Sequence, residues 1–561
     1  MKKAKKTLAL ILAIAMCFSL ISTMAFADEP KHLKYLSIGD STSSGYFTPG
    51  YVDGGSGSLQ PIYNSDGTEY KNDGYVYKVY EFLKGYATEN GMQMTRDDFK
   101  QWALCGMRPN ELLYILDPEN APHDSFCDTR VGWYVGWNDS FAPYVHGDLN
   151  KLSQMFTDAI KEADVITYDL GMNCFGNYLI DRLMALLSSD YSAYENDTFE
   201  LMYNQIEDEA TKEACKTLEK TLKSAISKLT EAAPEMFADK PDMPEKLLDF
   251  ALYCYASFCV YFDKTIDKIY EIKDGAEFTL ITVAQYNGMK DLKFLVGEGD
   301  SQITIDFGKL MGVVFSAMNT HITAVNKHAK EYKFADCSNV TTFTDEMASG
   351  KMLDTTFAVY QTEARDGMES FFHAETAAAT TFTLWETMEK KAYPGVTDEM
   401  IKANISKIAQ HSDVQLQPVV DALSGASDMF APVFEALYNF DNASDADISV
   451  AYVLCLLKCG RGFASHPNIA GCNEKYEAVK AAFESNKVAA DYAVKNVIEG
   501  VTYGAGTVWT AVKSPVLKAI YGAFNNIGID LEGFFATIRQ GLEKVQDFVM
   551  IFMPVLNLVK K

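Results

Sequence analysis

The sequence predicts an α/β fold with a central parallel sheet and large helical insertions. Short β-prone apolar runs that stop at glycine or small polar residues alternate with segments of helical period. Two long stretches, from about Tyr178 to Tyr270 and from about Met347 to Leu457, have helical periodicity without strand-like runs. The 48% hydrophobic and 12% aromatic content is enough for a sizeable core. No long low-complexity linker separates independent modules, so we expect one elaborated domain.

Five runs are predicted as strands because β-prone residues end in a turn signal. In chain order they are Tyr35 to Gly39, Trp102 to Cys105, Asp164 to Leu170, Glu277 to Asn287 and Tyr332 to Asp336. Helical spacing follows them in Tyr75 to Leu83, Leu152 to Ala163, Gly308 to Lys330 and Asn473 to about Glu484. Strands that alternate with helices indicate a parallel sheet.

The chain is predicted to begin with a signal peptide, 1–27. Four lysines precede an apolar run from Leu8 to Ile21, and Ala25-Phe26-Ala27 forms a cleavage site before Asp28. A retained membrane anchor is the alternative, but the run is short for a spanning helix. We therefore expect a secreted or extracytoplasmic protein, cleaved after Ala27.

The predicted organisation divides the chain at the changes in periodicity. Its parts are the signal peptide 1–27, a first part of the α/β core 28–177, a helical insertion 178–275, a second core part 276–345, a helical insertion 346–459, a histidine loop with the last core helix 460–485, and a helical C-terminal region 486–561.

Two apolar segments allow two interpretations each. Leu247 to Phe262 favours a buried helix, with a substrate-facing lid as the alternative. The apolar tail Phe548 to Val559 favours docking on the helical region, and weak membrane or lipid contact through this tail or the insertions is the alternative.

The charge of the chain excludes one class of partner. The formal net charge is −26, and cleavage of the signal with its four lysines leaves −30. Nucleic acid is not expected as a partner, because phosphate binding relies on a basic face. The acidity favours solubility over an acidic binding surface.

The cysteines give no metal pattern. Ten remain after cleavage of the signal, with no paired Cys-x2-Cys knuckles and with the eight histidines of the chain scattered. Disulfides in an exported protein and small buried hydrophobic residues both remain open.

The chemistry is predicted to centre on Ser41, in the turn Gly39-Asp40-Ser41 after the first strand. Open α/β sheets place their ligands at the carboxyl ends of strands, and a nucleophilic serine needs a base and oxyanion donors. Gly106 follows the second strand, Asn173 the third, and His466 lies before the last core helix. All four are expected at one edge of the sheet.

In these four blocks the sequence resembles the SGNH hydrolases, or GDSL esterase/lipase family. Gly39-Asp40-Ser41 matches the nucleophile block, Gly106 the glycine block, Gly171-Met172-Asn173 the asparagine block, and His466-Pro467 the base block. The resemblance implies a flavodoxin-like three-layer sandwich of SGNH type. It also implies a catalytic Ser41, His466 as general base, and an oxyanion hole from Ser41, Gly106 and Asn173.

The match departs from the family at two positions. Cys174 replaces an acidic residue that is not expected to touch substrate, and Phe463 stands where the family has the carboxylate that orients the histidine. Asp336 is nominated as a substitute, with a strand-end or capping role as its alternative. A Ser-His dyad held by a backbone carbonyl also remains open. A second copy, Gly299-Asp300-Ser301, lacks the following blocks and is interpreted as a loop.

The sequence therefore predicts a serine esterase that cleaves an acyl or acetyl ester, on a small molecule or a polymer, without a metal or organic cofactor. Tyrosines in 46–80 together with Trp133, Tyr134 and Trp137 suit a carbohydrate ester, whereas insertions rich in Met, Phe and Leu suit a lipid ester. The alternative is a non-catalytic SGNH-like protein that binds a glycan or protein partner in the same cleft.

Overall fold

The structure, a computed structural model, describes most of the chain between residues 31 and 496. The described residues are 31–48, 73–137, 141–188, 191–238, 240–297, 302–358, 360–361, 393–423, 430–454, 465–493 and 495–496. The predicted signal peptide, the second Gly-Asp-Ser, Phe463 and the C-terminal tail lie outside them.

The central sheet has five parallel strands in the order β2-β1-β3-β4-β7. These strands are β1 (Tyr35–Gly39), β2 (Phe99–Ala103), β3 (Val165–Asp169), β4 (Thr279–Val283) and β7 (Lys333–Ala335). The order is that of flavodoxin-like doubly wound sheets. The predicted α/β class with a parallel sheet is confirmed, and the arrangement is compatible with a three-layer sandwich.

Helices follow and cover these strands. In the first half of the chain they are α1 (Ser41–Ser44), α2 (Tyr75–Glu89), α3 (Pro109–Leu116), α4 (Ser125–Gly136), α5 (Ala142–Val145), α6 (Leu149–Glu162), α7 (Met172–Phe175), α8 (Asn177–Ser188), α9 (Phe199–Tyr203), α10 (Glu209–Ala232) and α11 (Met243–Lys273). In the second half they are α12 (Phe307–Thr320), α13 (Phe343–Ala348), α14 (Asp398–Gln410), α15 (Leu416–Leu423), α16 (Phe430–Tyr438), α17 (Asp445–Ala451) and α18 (Ile469–Glu484).

Aromatic packing shows that both faces of the sheet are covered. On one face Phe99 stacks on Tyr80 of α2 with ring centroids 4.6 Å apart. On the other face Tyr168 meets Phe262 of α11 edge-on at 5.5 Å. Successive residues of a strand point to opposite faces, so strands covered on both sides read as continuous apolar runs. This is why β1 and β3 were recognisable in the sequence.

The segment between β3 and β4 is helical in its described residues. Its longest member, α11, buries most of its middle, including Phe250, Phe258 and Phe262. The stretch from Leu247 to Phe262 is thus part of a buried helix, as the sequence favours. Among the described residues, no helix is long and apolar enough to cross a membrane.

A second, smaller sheet differs from the sequence prediction. It joins β5 (Lys293–Val296) to β6 (Ile303–Ile305) antiparallel and to β8 (Asp413–Gln415) parallel. The expectation that 346–459 is purely helical is therefore wrong at β8. Strands of three or four residues carry too little alternation to be recognised by period.

This second sheet belongs to a second hydrophobic cluster, which we call the distal core. It is built mainly from side chains of α13 to α17, such as Ile405 and Ala436, and it includes Val414 of β8. Phe47 and Met289, from the loops after α1 and β4, pack against its edge. The segment that follows Ser41 thus reaches the distal core through Phe47.

The eight cysteines within the described residues are free thiols, and seven of them are buried. For these positions the open choice is resolved in favour of small buried hydrophobic residues. Cys455 and Cys459 lie outside the described residues.

Candidate active site

The turn that carries Ser41 is fixed by local chemistry. Asp40 caps the short helix α1, because its Oδ1 accepts a hydrogen bond from the Thr42 backbone N–H at 2.9 Å. At Gly39 a Cβ atom would lie 2.1 Å from Ser43 Oγ, so the close turn requires glycine. Gly45 ends the turn with φ of 74°. Ser41 is therefore the first helical residue after the carboxyl end of β1.

Strand register brings the predicted blocks to one edge of the sheet. Gly39 of β1 lies beside Ala103 of β2 on one side and Asp169 of β3 on the other. Ser41, Gly106 and Asn173 follow these strand ends by two, three and four residues. The strand order reverses at β1, which is where doubly wound sheets open a crevice.

Ser41 and His466 meet although 425 positions separate them. Ser41 Oγ lies 2.7 Å from His466 Nε2. This is hydrogen-bond distance, and it lets a neutral imidazole accept the serine proton when its own proton is on Nδ1. The nucleophile and base predicted from the sequence are in contact.

Backbone contacts join the loop that carries His466 to two other segments of the chain. The His466 carbonyl accepts from the Phe343 N–H at 3.0 Å, and Thr342 forms an antiparallel bridge with Pro467. The Ser465 carbonyl accepts from Tyr286 Oη at 3.1 Å. These contacts join the loop to the segments that follow β7 and β4.

An aromatic ring also packs against the imidazole. The ring centroids of Tyr46 and His466 are 4.9 Å apart with planes inclined by 38°. The Tyr46 backbone N–H donates to the Ser41 carbonyl at 3.0 Å. The residue that packs on the base is thus anchored to the nucleophile turn itself.

Asn173 reaches the expected edge, but its amide is used differently from the expectation. Asn173 Nδ2 donates to Asp40 Oδ2 at 2.8 Å and to the Met107 carbonyl at 3.3 Å. Gly106 adopts a left-handed φ of 80° in the loop between β2 and α3. In this structure the Asn173 amide therefore connects the nucleophile turn to the Gly106 loop.

A buried ion pair beneath the turn was missed by sequence reasoning. Lys475 of α18 is fully buried, and its Nζ lies 3.0 Å from Asp169 Oδ2 at the end of β3. Tyr75 Oη and Ser43 Oγ also donate to this carboxylate at 2.8 and 3.2 Å. The ion pair joins the helix after His466 to the strand before Asn173.

The pair leaves a signal in the sequence. The buried residues Cys472, Lys475, Val479 and Ala482 share one face of α18, so the lysine interrupts an apolar stripe. Asp169 similarly ends an apolar strand. A charge on a buried face is rarely left without a partner.

Burial and the charges around Asp169 shift the pKa values of Asp40 and Lys475. Burial, followed by repulsion from Asp169, raises the pKa of Asp40 to about 7. Burial lowers the pKa of Lys475, but attraction to the Asp169 carboxylate, together with its hydrogen bond and smaller contributions from Cys337 and Asp40, raises the pKa above its usual value. Lys475 is therefore charged, whereas Asp40 titrates near neutral pH.

A second buried ion cluster supports the Gly106 loop. Arg108 is fully buried, and its Nη2 lies 2.5 Å from Glu111 and 2.9 Å from Asp124. Asp124 also accepts from Tyr253 Oη of α11 at 3.2 Å. The helical segment between β3 and β4 thus contacts the loop at the candidate site.

Asp336, the nominated orienting carboxylate, has a different partner. Its Oδ2 lies 2.5 Å from Lys495 Nζ. Within the part of the chain that the structure describes, no hydrogen bond joins Asp336 to His466. The described contact of this carboxylate is with the Lys495 ammonium group. No contact therefore supports the nomination, which stays a prediction.

Comparisons with protein-family models, with curated proteins and with solved structures each found no match to this chain. Within the described residues, no group of three His, Cys, Asp or Glu side chains has the geometry to hold a metal ion. The site is therefore interpreted from its own geometry.

Proposed function

We propose that this protein is a secreted serine esterase of SGNH type that forms an acyl-enzyme on Ser41. The observation that carries the proposal is the 2.7 Å contact between Ser41 Oγ and His466 Nε2 at the carboxyl edge of the sheet. A serine paired with an imidazole in this way is the arrangement that activates a weak nucleophile. The ordered Gly39-Asp40-Ser41, Gly106, Asn173 and His466 blocks support the SGNH assignment.

The reaction proceeds in two halves. Ser41 Oγ attacks the ester carbonyl carbon while its proton moves to His466 Nε2, which gives a tetrahedral oxyanion. The oxyanion collapses, the C–O bond to the alcohol breaks, and His466 returns the proton to the departing alcohol. Water then attacks the acyl-enzyme with His466 again as base, which releases the carboxylic acid and restores Ser41.

Backbone amides are the favoured oxyanion donors. Ser41 at the start of α1 and Gly106 in its left-handed turn supply N–H groups at the same edge. Asn173 joins them only if its amide leaves Asp40. Since the Asp40 pKa is about 7, protonation of Asp40 removes the charge that holds this amide.

The deciding experiment is covalent labelling of Ser41 by a fluorophosphonate probe, with hydrolysis of p-nitrophenyl acetate and butyrate in parallel. Wild type is expected to be labelled at Ser41 and to hydrolyse both esters, and Ser41→Ala to do neither. Equal rates for the two proteins would refute the esterase. N-terminal sequencing of exported protein tests the cleavage after Ala27.

A non-catalytic role is the second candidate, and one observation favours it. Asn173 Nδ2, expected to face an oxyanion, contacts Asp40 and Met107. In that case the cleft binds a glycan or a protein partner, and the probe leaves Ser41 unlabelled.

A further inference from the structure

Two tryptophans, one partly buried and one exposed, lie at the C-terminal end of helix α4. Trp133 lies in the last turn of α4, and Trp137 is the residue that caps it. The Trp137 N–H donates to the Trp133 carbonyl at 2.9 Å, so Trp137 lies one turn beyond Trp133 on the same side. Trp137 is 81% exposed and Trp133 is partly buried. We call the side of α4 that carries Trp133 and Trp137 the tryptophan face.

The tryptophan face is continuous with the edge that carries Ser41. Between the two tryptophans, Tyr134 is buried and donates from Oη to the Cys105 carbonyl at 3.4 Å. Cys105 immediately precedes Gly106, and its Sγ lies 3.8 Å from Ser44 Oγ of α1. One layer of side chains thus separates α4 from the nucleophile turn.

Space beside the rings is kept open by glycines. A Cβ atom built at Gly132 or Gly136 meets no atom within 4 Å. Gly132 and Gly136 precede Trp133 and Trp137 directly, so these two positions add no side chain beside the rings. Tyr144 of α5 is also 43% exposed, and the loop after it joins α4 where the Gly147 N–H donates to the Val135 carbonyl at 2.9 Å.

The exposure is unusual for this protein. Scattered exposed apolar residues need no explanation, but a cluster of them marks an interaction site. Among the described positions, the exposed large hydrophobic residues are Trp137, Tyr144, Leu201, Leu353 and Met400. Of these, Trp137 caps α4 and Tyr144 lies in the next helix, α5. Indole rings present a broad apolar face together with a polar N–H group.

We propose that the tryptophan face binds a sugar ring of a saccharide that carries the ester. The C–H groups on one face of a pyranose match the flat, apolar face of an indole, while the sugar hydroxyls stay in water. The proposal rests on the proposed esterase function and names its substrate class, a carbohydrate ester. The contact of Tyr134 with the Cys105 carbonyl places this stacking site next to the Gly106 loop of the candidate active site.

Charge argues against a membrane as the occupant. The chain carries a net charge of −26, which disfavours anionic lipid surfaces. The one arginine on α4, Arg130, lies over the Phe126 ring at 5.2 Å.

The size of the face argues against a protein partner. A stable protein–protein interface buries roughly 800 Å² of surface on each partner, which is far more than two indole rings supply.

The test compares Trp133→Ala, Trp137→Ala and the double variant with two matched controls, Leu201→Ala and Met400→Ala. Partially acetylated xylo-, cello- and chito-oligosaccharides are the probes, and p-nitrophenyl acetate reports the basal site. The double variant is expected to raise KM on the preferred oligosaccharide by about ten- to thirtyfold, typical of truncating a central aromatic contact. Its activity on p-nitrophenyl acetate and that of both controls should stay within about twofold of wild type.

A binding measurement separates this proposal from the esterase proposal. In Ser41→Ala, the unacetylated oligosaccharide should change the tryptophan fluorescence, and the added Trp137→Ala change should abolish that response. This result supports the tryptophan face even if wild type hydrolyses no ester. Serine-dependent hydrolysis of p-nitrophenyl acetate without saccharide binding overturns the tryptophan face and leaves the esterase. Binding to phosphatidylcholine vesicles that depends on Trp137 also overturns it.

Discussion

The nucleophile turn and the histidine loop are held in place by different interactions. Ser41 follows a central strand whose register with β2 and β3 is fixed, and a buried Lys475–Asp169 ion pair lies beneath it. His466 sits on a loop joined to the segment after β7 by backbone hydrogen bonds and is packed by Tyr46. Ser41 depends on strand register and His466 on the contacts of a loop, so we expect the two halves to respond differently to substitution.

The largest expected effect tests whether the two halves act as one unit. Ser41→Ala and His466→Ala should each lower kcat on p-nitrophenyl acetate by at least about 10³-fold, and the double variant should lose no more than either. Non-additivity follows because the base has no function without the nucleophile. Steady-state kinetics on the four proteins checks this, and multiplicative losses would show that the residues act independently.

The buried lysine should matter for stability more than any surface lysine. Lys475→Met leaves the Asp169 carboxylate buried without its cation, and we expect the free energy of unfolding to fall by about 3–5 kcal/mol. Lys480→Met, on the same helix but partly exposed, is the matched control and should change it by less than about 0.5 kcal/mol. Urea unfolding measures both.

A double variant tests whether Lys475 and Asp169 stabilise the fold as a pair. Adding Asp169→Asn to Lys475→Met removes the uncompensated charge and should recover part of the lost stability. If the double variant is as unstable as the sum of the single changes, the two groups are not coupled.

The protonation of Asp40 makes stability depend on pH. Its pKa of about 7 in the folded state exceeds the ordinary value of 3.8, so the folded protein binds more protons than the unfolded chain between these values. The stabilisation that protonated Asp40 contributes is present at low pH and is lost as pH rises from about 4 to about 7. At about 1.4 kcal/mol for each pKa unit, the loss in the free energy of unfolding is up to about 4 kcal/mol. Asp40→Asn should flatten this dependence in urea unfolding at pH 4.5, 6 and 7.5. An unchanged slope would assign the pH dependence to other groups.

The smallest expected effect concerns the support of the base. Tyr46→Leu removes the ring that packs on His466 and should lower kcat by roughly tenfold through misplacement of the imidazole, whereas Tyr46→Phe keeps the ring and most of the rate. The pH profile of kcat should shift in the leucine variant. Equal rates for both variants would mean that the backbone contacts at Phe343 suffice to hold the loop.

The sequence predicts the central sheet well because each strand carries its own signal. Apolar runs that end in turn residues mark all five parallel strands, with β2 shifted a few residues toward the N-terminus. The small sheet escapes because β6 and β8 have three residues each, and short strands depend on their neighbours for stability. Asn110 is a residue type that often caps helices, but it is buried within α3, where Pro109 begins the helix and Arg108 is its N-cap.

By itself, the sequence determined the α/β alternation and the order of the Ser41, Gly106, Asn173 and His466 blocks, since periodicity and turn chemistry are local properties. Only the tertiary structure decided which side chains meet. It brought His466 to Ser41 across 425 residues, directed the Asn173 amide to Asp40, and paired Lys475 with Asp169 and Lys495 with Asp336. These contacts depend on how distant segments pack, because a polar or charged side chain can pair only with the groups that folding brings within reach.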